Sequence, residues 1–328
     1  MLFPDGIAAQ PAVLARSAKE LAEPLDEVPT PLHGQVIALV GIGASEYAAR
    51  GAAHTWRAAG LRAFALSAAE ILASPDRTAD LYLAISESGR STETIRAVQS
   101  IDGRPTIALT NNPDSPLASA VDFTLPLNSG DDSMVYTTGY TATLQALGLI
   151  GEKWSGHHTD WATLPEQAEQ VLNAPAAAID AIAGIVGQAR IIDVIASGTS
   201  TSTAGEGALM LRESARLLTA SHETHNYLHG PMEPLDEQTG CLIIGDRREV
   251  RLARDTATLG APTVLITGRD DVADQPGLTV LRLPRARAPL AQAVLEILPL
   301  QRLGWTVATR RGLGVNGFRY QQSDTKVG

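Results

Sequence analysis

Residues 37–60 read IALVGIGASEYAARGAAHTWRAAG, and residues 192–215 read IDVIASGTSTSTAGEGALMLRESA. Each is an apolar run, a Gly-x-Ser turn and an Ala-rich stretch of helical composition. The second unit of each copy follows in order: LYLAISESGRSTETIRAVQSIDGRPTIALTN at 81–111 and CLIIGDRREVRLARDTATLGAPTVLITG at 241–268. Both read as strand, polar turn, helix, strand. Gly43-Ala44-Ser45 corresponds to Gly198-Thr199-Ser200, and 86–94 corresponds to the stretch at 245–249. A pattern that occurs twice in the same order predicts a duplicated domain. Near-continuous apolar strands are expected at 35–40, 81–86, 106–110, 123–127, 191–197, 241–245, 263–267 and 278–283. Strands of this kind, alternating with helices, predict an α/β fold with parallel sheets covered on both faces. The two copies meet in a helical region around 155–188, where LPEQAEQVLNAPAAAIDAIAGI predicts a connecting helix or helix pair.

The 328 residues are enough for two domains, and aromatics make up only 4% of them, so the core is aliphatic. The formal net charge of −10 disfavours a nucleic-acid partner. A single cysteine, Cys241, lies in an apolar run and reads as a buried strand residue. It rules out a disulfide framework within the chain and fits a reducing compartment. Neither a signal peptide nor an apolar run of membrane-spanning length is evident, so the expected setting is the cytoplasm.

The polar turn of the first copy, ISESGRSTE at 85–93, crowds hydroxyls around Gly89. The second copy keeps the architecture and drops the hydroxyls, so strand-to-helix geometry alone does not require them. Hydroxyls, free N–H groups and the positive end of a helix dipole suit a phosphate, and Gly89 lets the backbone approach it. The missing lysine excludes a nucleotide P-loop; a single sugar phosphate fits better. The competing reading is a helix cap with surplus serines. GIGASE at 41–46 lacks the third glycine of a dinucleotide fingerprint and places Glu46 where a pyrophosphate would lie. No cofactor is expected. His222, His225 and His229 are spaced for one helical face, but Gly230-Pro231 interrupts the segment and no further ligand is apparent, so no metal site is assigned.

At these residues the chain resembles the SIS (sugar isomerase) domain family, above all the isomerase half of glucosamine-6-phosphate synthase and its stand-alone relatives. SESGRS at 86–91 is similar to that family's Ser-Gln-Ser-Gly-Glu-Thr loop, EGALMLRE at 206–213 to Glu-Gly-Ala-Leu-Lys-Leu-Lys-Glu, and LHGPMEPLD at 228–236 to Leu-Lys-His-Gly-Pro-Leu-Ala-Leu-Ile-Asp. MVYTTGYTATLQ at 134–145 and AAQPAVLAR at 8–16 are similar to further segments of the same module. The resemblance implies two tandem flavodoxin-like, doubly wound α-β-α sandwiches. A helical lead-in over 1–30 precedes them; the first is a phosphosugar-binding domain over 31–160, the second a domain over 161–328 with the catalytic helix and C-terminal tail. It implies that Ser45, Ser86, Ser88 and Ser91 hold the phosphate and that Glu87 and Thr137 line the sugar. Glu213 would move a proton between C1 and C2, and His229 would open the ring, in the family often from the neighbouring subunit of a homodimer. Lys326 would lie over the substrate. By their spacing Glu206, Met210 and Glu213 share one helical face, which puts Glu206 near the same pocket.

Four positions depart from the family: Ala44 for a hydroxyl residue, Glu87 for a glutamine, Arg90 for an acid and Met210 for a lysine. The C-terminal Arg319 and Lys326 also stand farther apart than in the family's Pro-Arg-x-Leu-x-Lys ending. The family's synthase carries a glutaminase domain with an N-terminal cysteine nucleophile, and this chain has no Cys at position 2. The leading expectation is therefore an amino-sugar-phosphate isomerase or deaminase. A deglycase of a glycated amine 6-phosphate and a non-catalytic phosphosugar sensor are the alternatives.

Overall fold

The computed structural model describes residues 1–75, 77–315, 317–320 and 322–327. Helix α1 (Phe3–Glu27) leads into β1 (Val36–Gly41), α2 (Ala44–Ala58), β2 (Arg62–Ser67), α3 (Ala68–Ala73), β3 (Leu81–Ile85), α4 (Thr92–Gln99), β4 (Thr106–Thr110), β5 (Phe123–Pro126) and α5 (Thr138–Ser155). The connecting region forms α6 (Leu164–Leu172) and α7 (Ala176–Val186), a helix pair parted at Pro175. The second copy supplies β6 (Ile191–Ala196), α8 (Thr201–Ala215), β7 (Thr219–Glu223), α9 (Thr224–Tyr227), β8 (Thr239–Ile244), α10 (Arg248–Thr258), β9 (Thr263–Thr267), β10 (Leu278–Arg282) and α11 (Pro289–Arg310).

Each copy builds one five-stranded parallel sheet. The strand orders are β2-β1-β3-β4-β5 and β7-β6-β8-β9-β10, the same order twice. Side chains alternate across each sheet. In β1 and β3, Ile37, Leu39, Leu81 and Leu83 face the large central core, while Ala38, Val40 and Tyr82 face the outer one. In β6 and β8, Val194 and Leu242 face the centre, and Ile195 and Ile243 face outward. The central core is continuous from Phe3 to Val315. Helices α2 and α5 of the first copy pack there against α8 and α11 of the second. The Tyr140 hydroxyl donates to the Ser202 carbonyl at 3.1 Å, and the Thr55 and Thr199 hydroxyls meet at 2.9 Å.

Two strands are absent from the sequence-based reading, β2 and β7. They are equivalent, each an edge strand beside the first strand of its copy. An edge strand needs no apolar run, and RAFALS and TASHE are only partly buried. Among the described residues no helix is long and apolar enough to cross a membrane.

Candidate active site

In an open parallel sheet of this order, the chain leaves the carboxyl ends of the first and third strands in opposite directions and opens a crevice between them. The crevice of the first sheet holds a cavity of about 650 Å³. Its walls are the loop after β1 (Ile42, Gly43, Ala44), the loop after β3 (Glu87, Ser88, Ser91), the segment before α5 (Asp132, Met134, Tyr136), Leu209 and Glu213 of α8, and Lys326 of the tail. A larger groove of about 820 Å³ lies between α1, α6 and α11, walled by Ile7, Leu172 and Trp305, and collects none of these residues.

The hydroxyl loop does not use its side chains to cap its own helix. Ser91 is the N-cap residue of α4, yet its hydroxyl caps no N–H of the helix and instead meets Ser86 Oγ at 3.1 Å. The Arg90 N–H donates to Ser88 Oγ at 3.3 Å. Gly89 has φ +65°, and a Cβ there would lie 2.1 Å from Ser115 Oγ. Glycine is therefore required twice over, by conformation and by space.

Glu87 lies against the first turn of α5, where a Cβ on Gly139 would approach its Cγ to 2.7 Å. Burial, and then the charge of Asp132, push its carboxyl up to about 7, against the opposing pull of Lys326 and of the Asn111 amide. Asp132 accepts from the N–H groups of Thr137 (2.9 Å) and Gly139 (2.7 Å) and from Thr137 Oγ1 (2.5 Å). It thereby takes up the Gly139 N–H in the first turn of α5 and that of the N-cap residue Thr137, and places an acidic side chain at the positive end of the helix.

Glu213 reaches the cavity from the second copy, and burial lifts its carboxyl to about 7. Glu206, two turns back on α8, is buried behind the wall. Burial, then Glu213 and Asp132, raise it well above the ordinary carboxylate range, and its Oε2 has no hydrogen-bond partner among the described residues. Leu209, not Met210, shares this face. Met210 turns into the core against α11, where a Cβ on Gly304 would meet its sulfur at 2.7 Å. At about 100° per residue both positions flank Glu206, and packing of α8 on α11 decides between them.

Lys326 arrives by strand-like pairing of the tail with the hydroxyl loop. It forms an antiparallel bridge with Ser91, flanked by Thr92 N–H to Thr325 O at 3.1 Å and Val327 N–H to Arg90 O at 3.0 Å. Its Nζ donates to Tyr136 Oη at 3.4 Å. Burial raises the Tyr136 phenol, which stays protonated.

Of the residues expected from sequence, the fold brings Glu87, Ser88, Ser91, Glu213 and Lys326 onto one cavity wall. Ser86 stands directly behind Ser91, and Ser45 follows Ala44 at the start of α2. Thr137 is fully buried, with its hydroxyl on Asp132. His229 is exposed on a turn after α9 and is not on the cavity wall. The three histidines fall on a strand, a short helix and a turn, and among the described residues no group of three or more His, Cys, Asp or Glu is arranged to hold a metal ion. Sequence reasoning missed Asp132, Asn111 and Tyr136. The one signal was Asp131-Asp132-Ser133 just before a helix start, a common capping composition.

A family model described as the SIS domain matches residues 35–151 and again 185–301. The chain belongs to the SIS domain family. Among curated SIS relatives, the glutamine–fructose-6-phosphate aminotransferase (isomerizing) of Bradyrhizobium diazoefficiens is 28% identical over 74% of this chain, and that of Rhizobium leguminosarum bv. viciae is 29% identical over 75%. The chain spans less than half of those relatives, 43% and 44% of their lengths. The same SIS fold is seen in glucosamine-6-phosphate deaminase from Thermotoga maritima, with TM-score 0.81, 19% identity and 98% of both chains covered. It is seen again in tagatose-6-phosphate ketose/aldose isomerase from Escherichia coli, with TM-score 0.81 and 18% identity over 96% of this chain and 95% of that one. What these likenesses share with the chain is the fold, two SIS repeats, each on one five-stranded parallel sheet.

Proposed function

We propose that the protein is an amino-sugar-6-phosphate isomerase/deaminase. The observation that carries this reading is Glu213, a carboxyl near neutrality delivered by the second copy to the wall it shares with Ser88 and Ser91 of the first. The phosphate would sit on Ser86, Ser88 and Ser91, with Ser45 beside it. Glu213 would take the proton from C2 of the open-chain aldose and return it to C1, a transfer best served by a group titrating near the working pH. The resulting C2 imine takes up water and releases ammonia, leaving the ketose phosphate. Lys326 and the protonated Tyr136 phenol would stabilise the oxygen charge that develops during the transfer. Ring opening is assigned to His229 acting across a homodimer, since His229 does not line the cavity of its own chain.

One observation favours a second reading of the same chemistry. Glu87 with Asp132 places two carboxyls near the sugar's head, an arrangement that suits a protonated amine. A glycated amine 6-phosphate would present one, and the same proton shuttle followed by hydrolysis would release the amine. The test is ammonia release from glucosamine 6-phosphate by wild type and Glu213→Gln. The expected result is a loss of kcat of about 10²–10⁴-fold in the variant. No turnover by wild type with glucosamine 6-phosphate, but turnover of a fructosamine 6-phosphate, selects the second reading; binding of both with turnover of neither makes the protein a sensor.

A further inference from the structure

Strand β6 reads IIDVIA, with a carboxylate in the middle of an otherwise apolar strand. Asp193 is nearly fully buried on the outer face of the second sheet. The equivalent position of the first copy is Ala38, buried in the same place, so the fold does not require an acid there. A buried carboxylate costs stability unless it is partnered, and both partners of Asp193 lie on the segment that leads to His229. The Tyr227 hydroxyl donates to Asp193 Oδ2 at 2.8 Å, and His222 Nε2 meets Oδ1 at 3.3 Å. The His222 and Tyr227 rings lie 5.1 Å apart. Burial first, then Cys241 and Asp193, raise the Tyr227 phenol, so it remains a donor.

Helix α9 has four residues, too few to hold itself together. Three carboxylates from three elements pin it: Asp193 on Tyr227, Glu249 of α10 on Thr224 Oγ1 at 2.7 Å, and Glu223 on the Asn226 N–H at 2.8 Å. The following turn hangs from the same helix. The His229 N–H donates to Asn226 O at 3.0 Å, and the Met232 N–H to Tyr227 O at 3.2 Å.

We propose that Asp193 is a positioning residue, which acts through Tyr227 and His222 to hold the α9 turn and so sets where His229 is presented. The inference rests on the reading that His229 takes part in the reaction. Misplacement of an acid–base group by about 1 Å costs up to about 100-fold in rate. Steady-state kinetics with glucosamine 6-phosphate, or whichever amino-sugar phosphate the protein turns over, on a double-mutant cycle tests it. Tyr227→Phe keeps the buried ring and removes the hydroxyl, and Asp193→Asn keeps the shape. Each should lower kcat by about 10- to 100-fold with KM within threefold. In a His229→Ala background, Tyr227→Phe should change kcat less than twofold, because the group it positions is gone.

An equal loss in both backgrounds, or no loss beside intact His229, overturns the proposal and leaves the reading of His229 standing. An unchanged kcat in His229→Ala alone overturns that reading and the proposal with it.

Discussion

The two copies of the fold carry the same loops at the same strand ends and treat them in opposite ways. In the second copy several donors near the strand ends meet carboxyl groups of their own chain, while the Thr199 hydroxyl meets Thr55 Oγ1. Ser200 Oγ donates to Glu296 Oε1 at 3.0 Å, and Thr203 Oγ1 to Oε2 at 3.1 Å. Asp246 takes the Thr267 hydroxyl at 2.5 Å and the Gly268 N–H at 2.9 Å, and pairs with Arg285 at 3.3 Å. Glu249 folds back onto the Arg247 N–H at 3.2 Å. In the first copy the loop after β3 carries hydroxyls that the second copy lacks: Ser86 meets Ser91, and Ser88 and Ser91 line a cavity. The second copy covers these donors with its own side chains, whereas the hydroxyl loop of the first copy opens onto the cavity.

Three measurements break or sharpen that contrast. The largest effect is expected from replacing Ser86, Ser88 and Ser91 together by alanine. Hydrogen bonds to a charged group are worth about 1.5–3 kcal/mol each, so affinity for fructose 6-phosphate should fall at least about 100-fold by calorimetry. A variant that binds as wild type would place the phosphate elsewhere.

The second concerns pH. Glu87 and Glu213 are held near 7, above their unfolded values, so the folded chain binds more protons than the unfolded chain between about 4.5 and 7. Stability contributed by these groups is full below about 4.5 and is lost as pH rises through 7. Glu87→Gln should therefore stabilise the protein at pH 8 by about 1–3 kcal/mol and leave it unchanged at pH 4.5, read by denaturant unfolding. A variant destabilised at pH 8 would mean that Glu87 is ionised and partnered in the free protein.

The smallest effect belongs to the second copy. Asp246→Asn should lower stability by about 1 kcal/mol and leave fructose 6-phosphate affinity within twofold. A larger change in affinity would show that the second crevice communicates with the first.

Much of this was readable before any coordinates. The duplication, eight of the strands and the hydroxyl loop all declare themselves within a few residues, because strand period, turn chemistry and loop composition are local properties, whereas Glu213 was singled out only by the family resemblance. The helix pair at 164–186 was read from the same kind of pattern. The edge strands β2 and β7 escaped because a half-buried strand with one neighbour needs no apolar run.

What the sequence determined by itself is an α/β repeat with one copy chemically specialised, and the loop that carries the specialisation. What only the tertiary structure decided is the company those residues keep. Lys326 reaches Tyr136 because the tail pairs with Ser91, a contact far apart along the chain. Met210 leaves the site because α11 packs against α8. Glu87 is pushed up to about 7 because the fold buries it and then sets Asp132, in the loop before α5, beside it. Each depends on elements distant in sequence, and burial and field arise only where those elements meet.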